Sequence, residues 1–228
     1  MWGVTPASPP PHAVVFDNDG LLLDTEAAWT RAEVALFAHH GHTFTDDHKR
    51  DMIGSSHTVA AGKLEVMLGL PGAGEALMVE LHDRVMAEAA TGTVEPRPGA
   101  VALVDALLAA GIPIAVASNS PRAFLDLVLR SSGMAGRFAI TVAGDEVPEP
   151  KPAPDIYLEA CRRLDADPTR SVGLEDSPTG AQAAKAAGLT VIGVPYLPGM
   201  EIPPADVVAA SLADDVVLET VGLVPSRG

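Results

Sequence analysis

Cysteine occurs once in these 228 residues, at Cys161, which excludes an internal disulfide and a thiolate metal cluster. Basic residues are scarce: 15 Lys and Arg against 30 Asp and Glu leave a formal net charge of −15. Without a basic stripe, nucleic acid phosphates are repelled, and nucleic acid is not expected as a partner. No apolar run approaches the roughly 18 residues that a membrane span requires, so no membrane partner is expected either. The Pro-rich, uncharged start over residues 1–11 lacks the basic flank and long apolar region of a signal peptide, and reads as a disordered leader. The cytoplasm is the default compartment. An anionic substrate would need positive charge supplied locally, by a metal or by individual lysines and arginines.

What is present suits a globular α/β protein: 47% of residues are hydrophobic, ample for a core. Ala13-Val14-Val15-Phe16 reads as a buried parallel strand. Asp17-Asn18-Asp19-Gly20 follows it directly, so two aspartates emerge at the carboxyl end of a strand, before a glycine that lets the chain turn away. In open α/β sheets that is the end where ligands bind.

Helical patterns then run from Thr25 to His40, Thr45 to Met52, His57 to Leu68 and Gly74 to Ala90, with no strand between Asp24 and Pro96. From Pro98 onward short strands alternate with helices, the mark of βαβ units. Strands are predicted at Ile112–Ala117, Phe138–Val142, Ser171–Leu174, Thr190–Val194 and Val207–Ala210, with a short helix from Asp214. The expected fold is a doubly wound, Rossmann-like parallel sheet built from residues 12–24 and 96–228. A helical module over 25–95 is inserted after its first strand. Cys161 falls on the apolar side of a predicted helix.

Further polar residues fall at the same sheet edge: Ser118-Asn119-Ser120, Lys151, and Glu175-Asp176-Ser177. Each has a plainer reading: Ser118, Ser120 and Ser177 as helix caps, Lys151 as a solvated surface residue, Glu175-Asp176 as a charged turn. Their convergence on one edge weighs against those readings. Like carboxylates ~4 Å apart repel by about 4 kcal/mol at an effective dielectric near 20. A hard divalent cation with oxygen ligands resolves this, and Mg²⁺ is the expected cofactor. Lys151 and Ser118, beside backbone N–H groups at a helix start, complete a site for a phosphoryl group.

These residues occur in the order and context of the motifs of the haloacid dehalogenase superfamily of phosphotransferases, which the chain resembles over nearly all of its length after the leader. Lys151-Pro152-Ala153-Pro154-Asp155 and Gly173-Leu174-Glu175-Asp176-Ser177 look like its β-phosphoglucomutase/sugar-phosphatase branch, whose small helical cap the inserted module resembles. The resemblance implies that Asp17 is the nucleophile that forms an aspartyl-phosphate. It implies that Asp19 acts as general acid and then base, and presents its backbone carbonyl to Mg²⁺. Asp176 would supply a metal carboxylate, with Glu175 either a ligand or its partner. Ser118 and Lys151 would stabilise the transferring phosphoryl group, with Asn119 orienting it.

Asp19 points to phosphate ester chemistry, because the superfamily's dehalogenases and phosphonate hydrolases do not keep an Asp two residues after the nucleophile. A mutase of the β-phosphoglucomutase type is the alternative to a phosphatase. Its cap begins with a His and carries basic residues for a second phosphate, where this chain reads Trp29, Ile53 and His57. A phosphatase is therefore expected, acting as a monomer on a small phosphorylated sugar or polyol. Thr25, Trp29 and His57 are the candidate substrate contacts on the cap, with Arg50, Ser55 and Lys63 on the same surface. A more remote alternative is a non-enzymatic receiver domain, which holds a phosphoaspartate with similar groups but after its third strand. His39, His40, His42 and His48 crowd one region, but without a cysteine or a spacing that puts three on one face they do not read as a zinc site.

Overall fold

The computed structural model describes residues 10–223 apart from positions 54, 56, 93 and 198, so most of the expected leader lies outside the described residues. Strand β1 (Val14–Phe16) is followed by helices α1 (Glu26–His39), α2 (Asp46–Met52), α3 (His57–Leu68) and α4 (Gly74–Thr91). After α5 (Ala100–Ala109), strands and helices alternate: β2 (Ile114–Ser118), α6 (Arg122–Ser131), β3 (Ile140–Ala143), α7 (Asp155–Arg163), β4 (Val172–Glu175) and α8 (Pro178–Ala186). β5 (Thr190–Gly193), β6 (Val207–Val208) and α9 (Asp215–Thr220) close the chain. The strands form one 6-stranded sheet in the order β3-β2-β1-β4-β5-β6, every pair parallel.

Strand periodicity divides the core between the two faces of this sheet. Val14 and Phe16 of β1 join Leu103 and Leu107 of α5, Leu125 of α6 and Val217 of α9 on one face. Val15 points the other way, to Ile156 and Tyr157 of α7 and Ala181 and Ala184 of α8. The second face packs closely because its residues are small. A Cβ on Gly173 of β4 would sit 3.1 Å from that of Ala184, already tighter than ordinary contact.

β2 and β6 are shorter than their hydrophobic runs. β2 begins at Ile114, since Pro113 lacks the N–H that would extend the ladder. β6 stops at Val208 because the Asp214 carboxylate takes the N–H groups of Ala210 (2.8 Å) and Ser211 (3.2 Å) and diverts the chain into α9.

Helices α1 to α4 form a compact insertion. Ala28, Ala32 and Leu36 recur at helical spacing on the buried stripe of α1, which packs against α4 through Leu77, Leu81 and Val85. The two crossings between insertion and sheet lie side by side. Asp24 N–H donates to Glu95 O (2.8 Å) and Arg97 N–H to Leu22 O (3.0 Å). Among the described residues no helix is long and apolar enough to cross a membrane.

Candidate active site

Strand β1 lies between β2 and β4, where the winding of the sheet reverses, and Asp17 is the first residue beyond its carboxyl end. The Asp17 N–H still donates to Leu174 O (3.0 Å), which fixes the backbone of this residue to β4. Neighbouring strands end at Ser118 on β2 and Glu175 on β4, and Asp176 follows. Lys151 enters from the segment before α7. Its ammonium lies 2.6 Å from Asp17 Oδ1 and 2.6 Å from Glu175 Oε1, and donates to Ala117 O at 2.9 Å. Lys151 is 4% exposed, so the solvated-surface reading does not apply to it.

Asn119 holds that lysine in place rather than standing free. Its Oδ1 accepts from Lys151 N–H (2.9 Å) and its Nδ2 donates to Lys151 O (3.2 Å). The Tyr157 hydroxyl, which sequence reasoning did not single out, donates to Glu175 Oε1 at 2.6 Å from the α7 side. Glu175 is wholly buried, and Ser177 donates to its other oxygen at 3.3 Å while capping α8 through Gly180 N–H. A Cβ on Gly180 would collide with the Glu175 carboxylate, so a side chain at 180 would exclude it.

The charge here is not balanced by the protein alone. Burial pushes the Asp17 carboxyl well above its ordinary range; Lys151 opposes the shift, and Glu175 and Asp19 add to it. Asp176 is raised likewise, by burial and then by Asp17 and Glu175. Burial alone would lower Lys151, but the carboxylates of Asp17 and Glu175 overcome it and hold the ammonium above its usual value. Asp17, Glu175 and Asp176 place carboxylate oxygens within 4.8 Å of one another. A hard, all-oxygen donor set with excess negative charge fits Mg²⁺.

Gly20 sets the distance of approach. Its φ is +88°, and a Cβ there would collide with Asp176 Oδ2. Gly20→Ala is expected to destabilise the protein by about 1–3 kcal/mol, from the left-handed backbone and the displaced carboxylate. Any rise in melting temperature on adding Mg²⁺ should be smaller in this variant as well. Thermal melts with and without Mg²⁺ check this; wild-type values in both would show that Asp176 needs no clearance here.

Asp19 is a hub of hydrogen bonds. Ser118 Oγ (2.7 Å) and Ser120 Oγ (2.9 Å) donate to its Oδ2, while Thr25 Oγ1 (2.9 Å) and Asn18 Nδ2 (3.1 Å) donate to its Oδ1. One expectation is corrected by this arrangement, and one plainer reading is set aside. Thr25, expected on the substrate surface of the cap, is wholly buried and spent on Asp19 instead. Ser118 and Ser120 do not cap α6; Pro121 precedes that helix and the Asp145 carboxylate takes the Arg122 N–H (2.9 Å). Ser120 was missed as a site residue, although the alternation Ser118-x-Ser120 on an extended segment puts both hydroxyls on one side.

A cavity of about 380 Å³ separates this sheet edge from the insertion. Asp17, Asp19, Lys151 and Asp176 line its floor; Trp29, Ile53, Ser55 and His57 line its opposite wall. Trp29 also packs edge-on against His82 and Phe124, with ring centroids 5.8 Å away in each case. His57 Nε2 lies 2.7 Å from Glu75 Oε2. Arg50 turns outward to Asp47, and Lys63 donates to Ser55 Oγ at 3.0 Å.

Sequence reasoning missed a second charged group on that wall, formed by Glu26 and Glu33 of α1 with Lys49 of α2. Burial raises the Glu33 carboxyl to about 6, against the pull of Lys49. The histidines divide: His39 and His40 stay together beside Glu80, ring centroids 5.0 Å apart, away from His48. His48 closes a capping box with Thr45 at the start of α2, while His40 Nε2 lies 3.0 Å from Glu80, whose carboxylate Arg84 also engages.

Comparison with known proteins bears on this geometry. The family model for haloacid dehalogenase-like hydrolases matches residues 11–188. A bifunctional riboflavin kinase/FMN phosphatase of Arabidopsis thaliana is 34% identical over 93% of this chain, which spans only 56% of that longer protein. Hexitol phosphatase B of Escherichia coli K12 is 31% identical over 92% of this chain and 96% of its own length. The crystal structure of CbbY from Rhodobacter sphaeroides in complex with phosphate superposes with a TM-score of 0.77 at 32% identity, covering 90% of this chain and 96% of that one.

Proposed function

Because this chain belongs to the haloacid dehalogenase-like hydrolases and is a phosphoric monoester hydrolase, we propose that its substrate is a small sugar or polyol monophosphate, cleaved through a phosphorylated Asp17. The observation that carries the reading is the Lys151 ammonium, 2.6 Å from both Asp17 and Glu175, on the floor of the same cavity that Asp176 lines. The relatives named for hexitol phosphate hydrolysis and for a bound phosphate support the substrate class.

Asp17 attacks phosphorus, the ester P–O bond breaks, and the leaving oxygen takes a proton from Asp19. Water then attacks the aspartyl-phosphate and gives its proton to Asp19, which frees inorganic phosphate and restores Asp17. Three of the four partners of Asp19 in this structure are the hydroxyls of Thr25, Ser118 and Ser120, and the fourth is the Asn18 amide. Hydroxyls can rotate to accept as well as donate, so Asp19 can carry a proton or not without orphaning them. Lys151 offsets charge on the transferring phosphoryl oxygens and favours the anionic form of Asp17, opposing the burial that raises its carboxyl.

Asp17 and Asp176 would hold Mg²⁺ together with the backbone carbonyl of Asp19. Glu175, bonded to Lys151, Tyr157 and Ser177, braces them from behind. The ion supplies Lewis-acid charge against the phosphoryl oxygens. Residues 25–95 act as a cap over a core of 12–24 and 96–228, and Trp29, Ile53 and His57 give no grip for a second phosphate. One buried thiol suits the reducing cytoplasm, where we place the protein.

A phosphate-release screen over hexitol, glycerol and sugar phosphates, phosphoglycolate and nucleotides tests the proposal. Release from the polyol or sugar esters is expected, stopped by chelator and restored by Mg²⁺. Full activity in chelator, or release from none of these esters, would overturn it.

A further inference from the structure

The cavity wall opposite the sheet carries charge for which the phosphoryl chemistry has no use. Lys49 Nζ lies 2.7 Å from Glu26 Oε2 and 3.0 Å from Glu33 Oε2. All three side chains line the cavity. Glu33 is 3% exposed and shares the buried side of α1 with Ala32 and Leu36, a place where an apolar side chain would suit the packing. Buried ion groups of this kind rarely stabilise a fold more than apolar residues of equal volume. Their place on a cavity wall therefore points to recognition.

The group is an ordered run of acceptor, donor and acceptor with one net negative charge when both carboxylates are ionised. Lys49 and Lys151 are the lysines among the cavity-lining residues, and Lys49 is already matched by two carboxylates. A second phosphate or carboxylate on the substrate would meet net repulsion there. A hydroxyl suits it instead, since it can give a proton to a carboxylate and accept one from the ammonium. Trp29, Met52 and Leu81 line the cavity as well, providing apolar surface for a carbon chain.

We propose that Glu26, Lys49 and Glu33 form the selectivity site for the leaving group, hydrogen-bonding the distal hydroxyls of a neutral polyol or sugar chain and rejecting substrates with a second anionic group. This rests on the reading that the phosphate end binds at Asp17.

The test compares kcat/KM for a hexitol 6-phosphate, the corresponding 1,6-bisphosphate and p-nitrophenyl phosphate, which has no hydroxyls, in wild type, Glu26→Gln and Lys49→Met. Wild type is expected to prefer the monophosphate to the bisphosphate by about tenfold or more. Glu26→Gln removes the excess charge and is expected to raise the bisphosphate-to-monophosphate ratio by about fivefold or more. Lys49→Met is expected to lower the hexitol phosphate-to-p-nitrophenyl phosphate ratio about tenfold, chiefly through KM. Glu26 is the less buried of the two acids, so Glu26→Gln decides the matter if Lys49→Met does not fold. Hydrolysis by wild type with both ratios unaltered in the variants overturns this inference alone. No hydrolysis of any ester by wild type overturns the phosphatase reading, and this inference with it.

Discussion

Asp17→Asn is expected to abolish phosphate release, with a loss on the order of 10⁴-fold or more, because an amide cannot attack phosphorus. The same change should leave the fold intact. The amide oxygen can still accept from Lys151, and Lys151 keeps its contact with Glu175 at 2.6 Å. It also removes a charge that its surroundings disfavour: the Asp17 carboxyl is raised by burial and by Glu175 and Asp19. A melting temperature equal to or above wild type at neutral pH is therefore expected alongside the loss of turnover. Phosphate release and a thermal melt on the same sample check both. Activity within tenfold of wild type would show that the nucleophile lies elsewhere.

Lys151→Met is expected to cost stability as well as turnover. It strips the ammonium from Asp17 and the wholly buried Glu175, and breaking such a pair by removing one partner costs about 3–5 kcal/mol. The loss depends on pH with a definite sign. Asp17 and Asp176 have folded pKa values above their unfolded ones, so over that interval the folded state holds more protons than the unfolded state. Their contribution to stability then falls as pH rises from about 4 through the raised folded values. Lys151 has its own folded value above the ordinary lysine range, so its stabilisation is fully present at neutral pH and is lost only under strongly alkaline conditions. Removing it should thus do little near pH 5, where the carboxyls can protonate, and most near pH 8. Denaturant unfolding in chelator at pH 5, 6.5 and 8 measures this. A difference from wild type that is constant across the three would mean that the carboxyls do not titrate in this interval.

The parts of the site that stood out in the sequence are those that a strand delivers. A short apolar run ending in Asp17, Ser118 or Glu175 marks both an element and its chemically useful end, and parallel pairing brings such ends together. Lys151 was legible through its motif rather than its periodicity. The far wall was not legible for a different reason. Glu26, Trp29 and Glu33 share a face of α1 by helical spacing, but nothing in that spacing says that Lys49 of α2 crosses to meet them. Thr25 failed similarly. A threonine before a helix looks like a cap or a surface contact, and only the turn of Asp19 toward it, with Ser118 at the end of β2 and Ser120 just beyond, gives its hydroxyl another use.

The paired crossings at Leu22–Asp24 and Glu95–Arg97 have a consequence for how such an enzyme diversifies. A segment whose entry and exit are stitched together can lengthen, drift or be exchanged without re-threading the strands beneath it. Mutation can therefore explore new leaving groups on one half of the chamber while the half that handles phosphorus is left untouched.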